Sequence, residues 1–212
     1  MTSPIETYFE LGMAHFEARD YAHAVDMFTK ALRLSLGDLA ETYLYRGNSY
    51  AFLGAYDKAM DDFNEALRHN PYLADAYNER GNLLRMQAAY EEAIQDYDAA
   101  VTIDSAHYAV YYNRALAYEK IGQYVKAESD LTQAIELNPS IAPSYEMRGQ
   151  LRAMMQNYDG AIADLKRYLR MGGGHEYDNH SEIQSFIINL RINKFLSRFV
   201  PHRFLIGNRL EP

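Results

Sequence analysis

Along residues 40–73, AETYLYRGNSYAFLGAYDKAMDDFNEALRHNPYL, apolar and small residues return every three or four positions, the spacing that gathers them on one face of a helix. Tyr43, Gly47 and Tyr50 make one such trio, and Ala59, Phe63 and Ala66 make a second. The pattern predicts two amphipathic helices. Gly54 is suited to end the first, because without a Cβ it takes a left-handed backbone at no cost, and Asp57 is expected to cap the second. Pro71 cannot continue that second helix.

The same order of large, small and breaker residues recurs with a period of 34 over residues 5–38, 40–73, 74–107, 108–141 and 142–175, Leu39 being a single extra residue. The fourth place of each unit holds Tyr8, Tyr43, Tyr77, Tyr111 and Tyr145, and the seventeenth holds Tyr21, Tyr56, Tyr90, Tyr124 and Tyr158. Repetition therefore accounts for ten of the 19 tyrosines. Small residues recur at Gly12, Gly47, Gly81, Ala115 and Gly149, and again at Ala24, Ala59, Ala93, Ala127 and Ala161, so the two helices of a unit can pack closely. A downstream place holds Phe28, Phe63, Tyr97, Leu131 and Leu165, and Pro71 and Pro139 follow two of the second helices.

This series resembles the tetratricopeptide repeat (TPR) family, whose pattern over 34 residues runs through a large residue, Leu-Gly, Tyr, Ala, Phe, Ala and Pro. The resemblance covers residues 5–175. It implies an all-α, right-handed superhelical solenoid, because one helix pair cannot bury its apolar face alone and must stack on its neighbours.

One departure from the family pattern is systematic. Arg46, Arg80, Arg114 and Arg148 stand where the family has Leu, and Asp62, Asp96, Asp130 and Asp164 stand in the second helices of the same repeats. The first repeat has Leu11 and Met27 at those two places, so the charges are gained or lost together. Each Arg is expected to pair with the Asp of its own repeat as a structural element rather than as a ligand-binding ladder.

The resemblance also implies that the first helices line a groove for an extended peptide or a helix of a partner protein. Carried over place by place, the groove set is Phe9, Met13 and Phe16; Leu44, Asn48 and Phe52; Asn78, Asn82, Arg85 and Met86; Tyr112, Leu116 and Lys120; and Glu146, Gln150 and Met154, with Asn113 reaching inward. An Asn amide donates to and accepts from a peptide backbone at once, and Met adapts to varied shapes. The carboxylate clamp of chaperone-binding relatives is not preserved. Asn82 and Asn113 match it, but Asn78, Pro143 and Met147 occupy places that need cations. With Glu6, Glu41 and Asp75 at the second places, a basic or amphipathic ligand is expected.

Charge and composition exclude other classes. A formal net charge of −8 argues against a broad basic face for nucleic acid. No run approaches a membrane span and the start, MTSPIETYFE, lacks the plan of a signal peptide, so a cytoplasmic protein without membrane attachment is expected. There is no Cys, which removes disulfides and thiol chemistry. The sequence proposes no active site, no cofactor and no metal; His175 and His180 with Glu176 and Asp178 lie one residue off the helical HExxH spacing.

The glycines of MGGGHEYDNH are expected to end a helix and form a flexible corner in a loop. Residues 176–212 then read as that loop, a C-terminal amphipathic helix through Ile183, Phe186, Ile187 and Leu190 capped by Ser181 or Asp178, and a basic, apolar tail. Residues 183–212 hold five Lys or Arg and one acid, leaving them at +4 and the rest of the chain at −12. The helix is expected to cover the last repeat. The alternative function is a self-associating structural component whose tail, Val200 to Leu210, docks on a second copy or another subunit.

Overall fold

The computed structural model describes residues 4–34 and 39–197. These residues form twelve helices and no strand. In chain order they are α1 (Pro4–Glu17), α2 (Tyr21–Leu34), α3 (Ala40–Phe52), α4 (Tyr56–His69), α5 (Ala74–Met86), α6 (Tyr90–Ile103), α7 (Tyr108–Lys120), α8 (Tyr124–Leu137), α9 (Ala142–Met154), α10 (Tyr158–Arg170), the short α11 (Gly173–Glu176) and α12 (His180–Leu196). The first ten alternate as tandem pairs, and each second helix opens on its seventeenth-place tyrosine. The basic tail from residue 198 onward lies outside the described residues. No described helix is long and apolar enough to cross a membrane. The chain divides into two compact units, Met1–Ala117 and Tyr118–Pro212.

The small places set the spacing within a pair. A Cβ added at Gly47 would lie 2.7 Å from the Phe63 ring, and one at Gly81 would lie 2.8 Å from the Tyr97 ring, closer than packed carbon atoms approach. Phe28, Phe63, Tyr97 and Leu165 are completely buried at this contact, and Leu131 is completely buried as well. Leu44 joins Ala59, Phe63, Ala66 and Leu83 in the core of the second and third pairs.

Every turn within a pair uses the same cap. The residue at the fifteenth place is left-handed whether or not it is glycine: Arg19 (φ 60°), Gly54 (75°), Ala88 (60°), Gly122 (74°) and Gln156 (65°). The next N–H then reaches back five residues, as in Ala55 N to Tyr50 O and Ala89 N to Leu84 O, both 2.9 Å, which satisfies carbonyls that the helix end leaves open. Gly54 behaves as its sequence context predicts. Asp57 does not: Ala55 is the cap residue, no side chain bonds there, and Asp57 sits in the first turn of α4, where its charge faces the positive helix end. Loops between pairs also repeat, with Asn70, Asp104 and Asn138 each accepting from the backbone N–H two residues on.

The Arg–Asp pairs are bidentate. Arg46 donates to Asp62 at 2.8 and 2.7 Å, Arg80 to Asp96 at 2.8 and 2.6 Å, and Arg148 to Asp164 at 2.9 and 2.8 Å. Arg114 belongs to the first unit and Asp130 to the second. Each guanidinium also lies over the tyrosine three residues earlier, 5.5 Å from the ring centre for Tyr43, Tyr77 and Tyr111 and 5.8 Å for Tyr145. Its remaining Nη1 crosses to the preceding repeat: Arg46 to Thr29 (3.2 Å), Arg80 to Asn64 (2.8 Å), Arg114 to Asp98 (2.7 Å) and Arg148 to Thr132 (3.1 Å). One side chain thus closes a repeat and ties it to the one before.

In the second unit α12 packs on α10, burying Ile183, Ile187 and Leu190 beside Leu165 and Tyr168. Neither Ser181 nor Asp178 caps it. Asn179 holds the cap position, and its side chain instead accepts from the Tyr168 hydroxyl (2.9 Å) and donates to Glu146 (3.1 Å). The glycine corner is packed rather than flexible. Gly172 (φ 84°) ends α10, while Gly173 and Gly174 are buried and a Cβ on Gly173 would overlap the Tyr168 ring.

Because the Asp62 side chain is only 5% exposed, Asp62→Ala leaves a largely buried guanidinium without its partner and is expected to cost about 3–5 kcal/mol. The double change Arg46→Leu with Asp62→Met removes both charges and should cost clearly less. Urea unfolding of the two variants checks this, and equal losses would contradict it.

Candidate functional site

In the first unit the first helices α1, α3 and α5 are in sequential contact, and they carry most of the expected groove residues. At the amino-terminal end the face is aromatic. Tyr45 lies 6.0 Å from Phe9 and 5.7 Å from Phe16, ring centre to ring centre, and Phe52 stacks on Tyr21 at 4.4 Å with the planes 10° apart. Phe52 nevertheless remains 63% exposed. Phe9 and Met13 are half-buried, and Asn48 is half-buried with no side-chain hydrogen bond among the described residues.

Further along, the face becomes a hydrogen-bonded amide cluster around Glu79. The carboxylate accepts from Asn78 (2.9 Å) and Asn82 (3.2 Å). Asn78 in turn accepts from Asn113 on α7 (2.9 Å), and Asn82 accepts from the Tyr97 hydroxyl (2.9 Å). Burial pushes the Glu79 carboxyl above its ordinary range, against the two amide donors that favour its charge. Burial likewise raises the Tyr97 phenol to about 12, opposed by the nearby Arg85 guanidinium, so the hydroxyl keeps its proton and its donor role. Arg85 is half-buried, and its Nε is enclosed without a hydrogen-bond partner among the described residues. Met86, on the same turn, is 58% exposed.

The expected set is therefore split. Asn78, Asn82 and Asn113 are brought together; Asn78 is buried, so it orders the cluster and presents nothing outward, whereas Asn82 is half-buried and keeps a second N–H and a second lone pair beyond its bonds to Glu79 and Tyr97. Leu44 is corrected outright: at 4% exposure it is core. Tyr112 and Leu116 are half-buried on α7. In the second unit Gln150 is exposed and donates to Glu146 (3.3 Å), whose carboxyl is pushed up by burial. Glu79, Tyr97, Tyr45 and Tyr21 were not among the expected groove residues. Tyr97 carried a usable signal, since a phenol at a place that otherwise holds Phe or Leu and is completely buried must find a partner for its hydroxyl.

Two tetratricopeptide repeat family models match, one over residues 40–73 and 108–141 and the other over residues 5–38, and a third, TPR repeat, matches residues 81–122. Together these cover more than half of the chain, which belongs to the tetratricopeptide repeat family. Among curated proteins it is similar to human Tetratricopeptide repeat protein 6, at 27% identity over 181 residues, covering 80% of this chain and 35% of that protein. It is also similar to RNA polymerase II-associated protein 3 of Xenopus laevis, at 33% identity over 126 residues, covering 59% of this chain and 14% of that protein. The chain thus spans about a third or less of the length of these relatives.

Among solved structures, MamA 41-end from Desulfovibrio magneticus RS-1 superposes with a TM-score of 0.68 at 20% identity, covering 84% of this chain and 98% of that one. YrrB, described as a TPR protein with an unusual peptide-binding site, superposes with a TM-score of 0.66 at 21% identity, covering 82% and 90%. At these identities the likeness shows the fold.

Beside the amide cluster, His107 and Asp75 form an ion pair at 2.9 Å. The hydrogen bond to Asp75 raises the imidazole above its ordinary value of 6.5, and the same bond lowers the carboxyl below 3.8. The imidazole's stabilising contribution is therefore fully present below about pH 6.5 and fades as pH rises through the folded-state value; the carboxylate's contribution is lost as pH falls through its own lowered value. Asp75→Asn is expected to move the His107 titration down toward 6.5 in an NMR pH series. An unmoved titration would show that another group holds the charge.

Proposed function

We propose that the chain is a non-catalytic protein-interaction module that holds an extended segment of a partner protein along the first-helix face of its first unit. TPR proteins in general mediate contacts between proteins, and YrrB supplies a structural neighbour described as binding a peptide. The observation that carries the reading is the arrangement on α3 and α5. Asn48 and Asn82 occupy the same place on the two helices, each followed four residues later by an exposed apolar side chain, Phe52 at 63% and Met86 at 58%. Amides at a 34-residue repeat can bridge successive stretches of peptide backbone, while Phe52 and Met86 take apolar side chains from it. Asn82 is held by Tyr97 and Glu79, which spares a ligand the cost of ordering it. Glu41 and Asp75 are exposed at the margin and suit a ligand of basic or amphipathic character.

A second reading has an observation of its own. Ile188, Ile192 and Leu196 are 54%, 50% and 37% exposed at helical spacing on α12. Such a stripe suits a second copy or another subunit, giving self-association a surface apart from the tail, which lies outside the described residues. Light scattering separates the two, because the first reading works as a monomer.

Peptide display against the full chain tests the leading proposal. Selected segments should lose at least about tenfold in affinity with Phe52→Ala, as for a buried aromatic anchor. They should be unaffected by Tyr72→Ala, which removes a 79% exposed tyrosine from the loop after α4. Segments that ignore both Phe52→Ala and Asn48→Ala would overturn the proposal.

A further inference from the structure

The turn between α1 and α2 collects three side chains of metal-ligand type. His15 stands in the last turn of α1, Asp20 directly before α2, and His23 in the first turn of α2. Left-handed Arg19 reverses the chain, and the Asp20 N–H returns to the His15 carbonyl at 2.8 Å, which folds the carboxylate back beside the helix it has just left. Both imidazoles turn Nδ1 toward that carboxylate, His15 at 3.3 Å and His23 at 2.8 Å, with their rings stacked 5.3 Å apart. The three ligand atoms lie within 4.8 Å of one another.

We propose that His15, Asp20 and His23 form a surface binding site for a borderline divalent transition-metal ion of the Zn²⁺ type. Two imidazole nitrogens and one carboxylate oxygen are the donors that Zn²⁺, Co²⁺ and Ni²⁺ favour, whereas Ca²⁺ and Mg²⁺ require oxygen shells. Metal–ligand bonds near 2.0–2.2 Å at a tetrahedral centre place donors about 3.3 Å apart. The two nitrogen–carboxylate distances, 3.3 and 2.8 Å, lie within about half an ångström of that, and the imidazole nitrogens lie within 4.8 Å of each other, a separation that side-chain rotations can close. The side chains of His15, Asp20 and His23 are 36%, 41% and 66% exposed, so an ion can enter and complete its shell with water.

A capping role for Asp20 does not account for the geometry. The N–H it would cap, that of His23, is 3.5 Å away, at the edge of hydrogen-bond range, while both imidazoles converge on the carboxylate. One cation satisfies all three groups at once. It would also join α1 to α2 in the one repeat whose sequence has neither the Arg nor the Asp, but Leu11 and Met27 at those places.

Titration calorimetry on the full chain, free of any polyhistidine tag, tests the site. One Zn²⁺ per chain should bind while Ca²⁺ and Mg²⁺ do not, and Zn²⁺ should raise the melting temperature through linkage. His15→Gln and His23→Gln should each weaken binding at least about tenfold with the helical circular dichroism unchanged. The proposal is overturned if wild-type protein binds no Zn²⁺ at sub-millimolar concentration. It is equally overturned if the double variant binds as tightly as wild type, which would place the ion elsewhere, for example at the stacked His175 and His180.

Discussion

A guanidinium shared between repeats is the interaction on which the stack depends. The arginine that recurs in repeats two to five has five N–H donors in a rigid fork. In Arg46, Arg80 and Arg148 two are fixed on the aspartate of the arginine's own second helix, and Nη1 reaches an oxygen of the repeat before it, as Arg80 does with Asp96 and Asn64. The ring of Tyr77 lies against the same group. Hydrophobic burial holds a helix pair together without fixing its angle to the next pair. A bidentate ion pair with a third bond to the neighbour does fix it, because any slip breaks several directional bonds at once.

That arrangement leaves the first-helix face free for another purpose. The small places, the aromatic place and the Arg–Asp pairs occupy the flanks of each helix that meet a neighbour. What remains on α3 and α5 is a short series: Asn48 and Phe52, then Glu79, Asn82, Arg85 and Met86. Tyr97 links the two layers. Its ring fills the place taken by Phe63 one repeat earlier, and its hydroxyl passes the rigidity of the core to Asn82. A groove residue held from behind costs a ligand less to engage than one that must first be ordered.

The helices, their pairing and the in-repeat Arg–Asp partners were legible because they repeat, and each copy checks the others. The charge covariation with Leu11 and Met27 was enough to choose the partner of Arg46. The bond to the preceding repeat was not legible, since Thr29, Asn64, Asp98 and Thr132 share only an acceptor oxygen. Single-copy features were read least well. Asn78 looked like a ligand amide because its neighbour Glu79 was not seen to claim it, and Leu44 lost its groove role to the core. The cap of α12 was misplaced because Asn179 is used for Tyr168 and Glu146. His15, Asp20 and His23 went unnoticed because the turn that unites them depends on a left-handed arginine, which composition does not announce.

The partner we propose on the first-helix face of the first unit is within reach of site-specific photo-crosslinking. A benzophenone side chain placed at Phe52 or Met86 should form crosslinks to a bound segment, and one at Glu91, exposed on the second helix α6, should form none. Crosslinks from Glu91 with none from Phe52 or Met86 would contradict the account.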